Sequence, residues 1–165
     1  MKDICQTLIT FLLMFGLHAK PRPKRVTHNA IDMRLKLPSF SQKVRLFSRQ
    51  GFFITIDQSG NIGGTRNKGD RNNVFLMESF SFNLKRIRKP DSYFLSINKN
   101  GIIETTLRAR KECLFLERLT GNFVTYENML SQYMIVMTTK QKPLHGTPNN
   151  FNTKETQFVV MRITE

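Results

Sequence analysis

The feature that most constrains this chain is internal repetition. Phe53-Ile54-Thr55-Ile56, three turn residues and then Gly60-Asn61-Ile62 are echoed at an offset of 41 (53 to 94) by Phe94-Leu95-Ser96-Ile97, three residues and Gly101-Ile102-Ile103. A third copy, Met134-Ile135-Val136-Met137, lies 40 residues beyond Phe94, with Gln141 in the place of the glycine. Apolar residues around a small or polar one, running into a turn, suit a half-exposed strand. Between these copies a second motif recurs as Phe75-Leu76-Met77-Glu78, Leu114-Phe115-Leu116-Glu117 and Phe158-Val159-Val160-Met161, at offsets of 39 and 44. The larger offset implies an insertion before the last copy. Three units of about 40 residues, each supplying several short strands, predict an all-β chain folded as a β-trefoil, a six-stranded barrel capped by three hairpins. A propeller of similar period normally needs more blades.

Composition agrees. The 165 residues suffice for one domain with one core. Phe occurs 14 times, Trp not at all, and Gly and Asn punctuate the chain as short strands joined by turns require. Lysine and arginine number 26 against 12 acids, and the net charge of +14 creates a field that draws polyanions: nucleic acid, anionic membrane or sulfated polysaccharide.

The expected organisation is a leader over 1–19, a basic extension over 20–42 and a trefoil domain over 43–164. In the leader, Lys2 precedes a mostly apolar run from Ile4 to Leu17, and Leu17-His18-Ala19 offers a small residue for cleavage, as in a secretory signal peptide. The run is too short for a permanent membrane span, which needs roughly 20 residues. In the extension, Arg22-Pro23-Lys24-Arg25 has the form cut by basic-specific proteases of the secretory pathway; a solvated basic linker reads equally well. Loss of the leader removes Cys5 and leaves Cys113 as the one cysteine, without an internal disulfide partner. Its neighbours Leu114, Phe115 and Leu116 predict a buried, inert thiol.

Catalysis is poorly supplied. His18, His28 and His145 have no Cys or acid at a metal-ligand or nucleophile-base spacing. Gly60, Gly63 and Gly64 lack the Gly-Lys-Ser/Thr of a phosphate-cradling loop and read as turn residues. The chain is therefore expected to be a non-enzyme without a cofactor or metal. Basic residues form the stronger constellations: Lys85, Arg86, Arg88 and Lys89; Arg108, Arg110 and Lys111; and Lys140, Lys142 and Lys154. Few aromatics are interleaved with them and no recognition-helix pattern is present, so nucleic acid ranks behind glycan as a partner.

Two segments carry a family resemblance. Glu112-Cys113-Leu114-Phe115-Leu116-Glu117-Arg118-Leu119 resembles the central signature of the fibroblast growth factors. Gly51-Phe52-Phe53-Ile54-Thr55-Ile56, followed by Asp57-Gln58-Ser59-Gly60-Asn61-Ile62-Gly63-Gly64-Thr65-Arg66, resembles that family's opening hairpin. The likeness runs from about Val44 to Ile163 and independently implies a trefoil.

It also implies a secreted growth factor that binds the immunoglobulin-like ectodomain of a receptor tyrosine kinase, with heparan sulfate as co-ligand. By position, the receptor face implied is Phe47, Arg66, Glu117, Asn122 with Phe123, and Met161 with Ile163. Phe47 and Phe123 stand where the family more often has Tyr. Plain barrel packing is as good a reading of Phe47 and Met161. Glu117, a carboxylate ill-suited to an apolar core, is expected to tolerate replacement in the folded state while serving the receptor. Heparan sulfate is implied to meet Arg49, Gln50, Lys140, Lys142 and Lys154. The loop departs from the family pattern at Thr138, Thr139 and Gln141, so binding should persist in altered form. Two other classes stay open: an intracellular member of the family with a cytosolic or channel partner, and a trefoil cytokine or glycan-binding module. The absence of Trp argues against trefoil lectins, which repeat a Gln-x-Trp.

Overall fold

The structure, a computed structural model, describes residues 37–90, 92–143, 145, 146, 148 and 152–164. The leader, His18, His28 and the basic motif Arg22, Lys24, Arg25 lie outside the described residues.

Ten strands follow one another: β1 (Phe40–Ser48), β2 (Phe52–Ile56), β3 (Ile62–Thr65), β4 (Phe75–Ser79), β5 (Leu84–Arg88), β6 (Phe94–Ile97), β7 (Ile103–Thr106), β8 (Leu114–Thr120), β9 (Phe123–Asn128) and β10 (Phe158–Arg162). Every pairing is antiparallel. β1 pairs with β4, β4 with β5, β5 with β8, β8 with β9, β9 with β10, and β10 with β1. Those six strands close a ring. A closed barrel leaves its members no free edge.

The hairpin β2–β3 hangs from β1 and the hairpin β6–β7 from β5. A third hairpin hangs from β9 through the bridge Glu127↔Met134 and continues through Met137↔Pro143 and Tyr133↔Pro148. Pro143 and Pro148 on its return arm cannot donate to a ladder, and the described residues of that arm pair through isolated bridges. The architecture is the expected β-trefoil.

The same turn closes all three hairpins. The amides of Gly60, Gly101 and Gln141 donate to the carbonyls of Asp57, Asn98 and Thr138, and the side chains of those three accept from the amides of Asn61, Ile102 and Lys142. The turn needs positive φ at its fourth residue: 86° at Gly60, 79° at Gly101 and 60° at Gln141. Gln141 thus occupies the glycine position that the repeat assigns to it, with a side chain that disfavours that conformation.

Val44, Leu46, Phe75, Met77, Ile87, Phe115, Tyr126 and Phe158 fill the barrel, and Ile54, Ile56, Leu95, Ile97 and Met134 to Met137 join them in one core cluster from the hairpins. The inward positions correct the second repeat. Phe75, Phe115 and Phe158 are the buried equivalents, so the true offsets are 40 and 43, not 39 and 44. Because strand side chains alternate, that single-residue slip exchanges the inner and outer faces of β8 relative to β4. At the N-terminal edge, β1 begins at Phe40, and Phe40, Ser41 and Gln42, assigned to the extension, already pair with β4. Cys113 is fully buried and free, as its apolar neighbours imply. Among the described residues no helix is long and apolar enough to cross a membrane.

Candidate functional surface

Three neighbouring strands present one outward apolar face. On β1 Val44, Leu46 and Ser48 point inward, which turns Phe47 and Arg49 outward. Phe47 lies opposite Val159 on β10, and Met161 lies opposite the outward Arg45. The Phe47 ring meets that of Phe53 edge-on at 4.9 Å. Phe123 opens β9 opposite Thr120, after the turn that leaves Asn122 exposed at its tip. Ile163 continues past β10, its amide bonded to the Lys43 carbonyl at 3.0 Å. Arg66 is exposed and follows Thr65, which pairs with Phe53, the partner of Phe47. Register therefore brings Phe47, Arg66, Phe123, Met161 and Ile163 to adjoining strands and their ends.

Glu117 stands apart from this face. It shares the inward parity of Phe115 and lies opposite Tyr126. Its carboxylate accepts the Tyr126 hydroxyl at 2.8 Å and lies 3.8 Å from the Lys85 ammonium, while its amide donates to the Asn83 carbonyl at 2.8 Å. The carboxylate is 23% exposed, at the barrel rim. Burial pushes the Tyr126 phenol well above its usual range, and the adjacent Glu117 carboxylate pushes it further. The expectation that Glu117 can be replaced without structural consequence is thereby revised. The barrel supplies this acid with partners, which a reading of the apolar run LFLE did not anticipate.

The residues nominated for glycan gather around one end. The Gln50 side-chain Nε2 donates to the Met137 carbonyl at 2.6 Å, the Met137 main-chain amide donates to the Glu155 carbonyl, and the Arg49 main-chain amide to the Gln157 carbonyl. These bonds fasten the β1–β2 turn to the Thr138–Lys142 turn and to the turn holding Lys154. Lys140, Lys142 and Lys154 are exposed and form no ion pair among the described residues. Arg49 is different: its guanidinium stacks over Phe123 at 4.8 Å and donates to the Gln157 side chain at 2.5 Å.

The basic run before Pro90 is not a polyanion patch. Arg86, only 5% exposed, pairs with the buried Glu78 and lies between the rings of Phe80 and Phe94, at 4.8 and 5.2 Å. Arg88 donates to the other Glu78 oxygen at 2.9 Å, Lys85 to Ser79, and Lys89 to the Ile56 carbonyl and Asn72. Sequence reading missed this network, although Glu78, an acid next to the buried Met77, was the available signal.

The trefoil thus sets a half-buried apolar face beside an end whose lysines are exposed and form no ion pair among the described residues. The model of the family described as fibroblast growth factor matches residues 42–159, and the chain belongs to that family. Ovine fibroblast growth factor 7 is 24% identical over 127 residues, covering 73% of this chain and 66% of that protein. Mouse fibroblast growth factor 10 is 25% identical over 126 residues, 72% of this chain and 60% of that one. Fibroblast growth factor 1 of Xenopus laevis reaches 29% over 107 residues, 62% and 69% respectively. The chain thus spans just under two thirds of the length of the ovine and mouse relatives. Growth factors of this family are signalling ligands and not enzymes.

Proposed function

We propose that this chain is a secreted growth factor that engages the ectodomain of a receptor tyrosine kinase of the fibroblast growth factor receptor type, with heparan sulfate as co-ligand. The observation that carries the reading is the adjacency of two surfaces: the outward side chains Phe47, Phe123 and Met161, and the end that bears Lys140, Lys142 and Lys154. Aromatic rings at an interface supply most of the apolar contact energy, and unpaired ammonium groups beside them attract sulfate. A polyanion bound there raises the effective concentration of ligand at receptor, without a cofactor and without chemistry by the protein.

The test is capture of a receptor ectodomain by the full chain, with and without heparin. Capture that heparin strengthens, that Phe123→Ala weakens and that the triple lysine-to-alanine variant at 140, 142 and 154 makes heparin-independent supports the reading. No capture under either condition overturns it. Secretion is tested in the same cells: a product in the medium that starts near Lys20 or Val26 supports the leader, and retention in the cytosol favours an intracellular partner.

A further inference from the structure

We infer that Arg49 is a positioning residue for the ring of Phe123 and not a ligand for sulfate, an inference that rests on the receptor reading above. The guanidinium carbon lies 4.8 Å from the centroid of the Phe123 ring, and one of its terminal nitrogens donates to the side-chain oxygen of Gln157 at 2.5 Å. Gln157 is 3% exposed, and its carbonyl also accepts the Arg49 amide at 2.9 Å. Arg49 is therefore fixed through main chain and side chain to the residue that precedes β10. A planar guanidinium can stack on a ring with its face while donating from its edge, which an ammonium cannot do.

Phe123 needs such a support. It is the first residue of β9, opposite Thr120, and it lies two residues after Gly121, whose φ is 61°. A half-buried ring beside the turn of a hairpin has several accessible rotamers, and ordering it on binding opposes affinity. The stack and the Gln157 bond settle the orientation beforehand. Gln50, next in the chain, is bonded to Met137 at the base of the Thr138–Lys142 turn. The dipeptide Arg49-Gln50 thus joins the receptor-facing ring to the lysine turn, and sulfate affinity resides in Lys140, Lys142 and Lys154.

The decisive variant is Arg49→Lys in the full chain, which keeps the charge and removes the stack. Three quantities are read: heparin-column elution, melting temperature, and affinity for receptor ectodomain without heparin. Elution should match that of the wild type and melting temperature should fall modestly with the Gln157 bond, while ectodomain affinity, read at a temperature where both proteins are folded, falls about tenfold. Phe123→Leu should cost less affinity in the Arg49→Lys background than in the wild type, because the stack is already gone there and only the ring's own receptor contact is left to lose. Wild-type ectodomain affinity in Arg49→Lys, with heparin elution lowered in Arg49→Ala as much as in Lys142→Ala, overturns the inference and leaves the receptor reading intact. Absence of any wild-type ectodomain binding overturns the receptor reading, and this inference with it.

Discussion

Glu117 shows how much a side chain's role depends on which way its strand faces. The bond from the buried Tyr126 hydroxyl means that Glu117→Ala strands a phenol in the core, which costs about 1–3 kcal/mol. Glu117→Gln keeps an acceptor and should cost less, so the ordering of the two in chemical denaturation checks the assignment. Arg118→Ala next to them takes a charge partner from the buried Glu127 and should cost about 1–3 kcal/mol through Glu127, without touching the Tyr126 bond. Gln141 offers the opposite case. Its φ of 60° is one that glycine adopts freely, and Gln141→Gly should raise stability by about 0.5–1 kcal/mol in the same measurement. The sequence alone exposed that substitution, because the repeat marks the position as a glycine; Thr138 then completes the turn as Asp57 and Asn98 do in the other two copies.

At the scale of elements, the hairpins were legible and the faces of the strands were not. Phe53 to Ile56 and Phe94 to Ile97 are strands at the repeat's own offset, because glycine turns fix where each hairpin ends. The second motif misled by one residue: Phe75-Leu76 and Leu114-Phe115 are apolar at consecutive positions, so composition cannot say which of the pair points inward. Only the pairing of β8 with β5 and β9 decides that Phe115 and Glu117 do. Charge was equally silent about partners. Lys85, Arg86, Arg88 and Lys89 read as a basic surface, yet the buried Glu78, two aromatic rings and a carbonyl engage three of them. Arg86→Ala leaves the buried Glu78 paired with Arg88 and should lose about 1–3 kcal/mol, measured by urea unfolding. Lys140, Lys142 and Lys154 together changed to Ala should leave the urea midpoint in place and lower the salt needed to elute from heparin. Equal heparin shifts from a Lys99, Arg108 and Arg110 triple variant would mean that net charge, and not these three lysines, governs retention.

For the molecule as a whole, the buried proton donors set an alkaline limit. Tyr126 keeps its proton in the fold to a pH well above the value near 10 at which the unfolded chain releases it, and burial raises the Cys113 thiol above its ordinary 9.0 in the same sense. Each raised group contributes stability that is complete below its unfolded pKa and is lost as pH climbs beyond it, by about 1.4 kcal/mol per pH unit for each group until its folded value is reached. Unfolding free energy should therefore hold steady to about pH 9 and then decline, and Tyr126→Phe should make the decline above pH 10 shallower. Thiol reagents should label Cys113 slowly in the native protein and rapidly in urea.

Ring closure has a mechanical side. β1 and β10, the first and last strands, are antiparallel neighbours, with Val44 beside Arg162 and Ser48 beside Phe158. Handles attached at Phe40 and Thr164 would thus pull both strands from the same end, opening their hydrogen bonds one rung after another instead of shearing the whole ladder at once. In an optical trap the barrel should rip open at low force from that seam, whereas handles that load β8 against β9 along their length should meet much greater resistance. Tension applied through the two ends of the described domain would be released first at the β1–β10 seam.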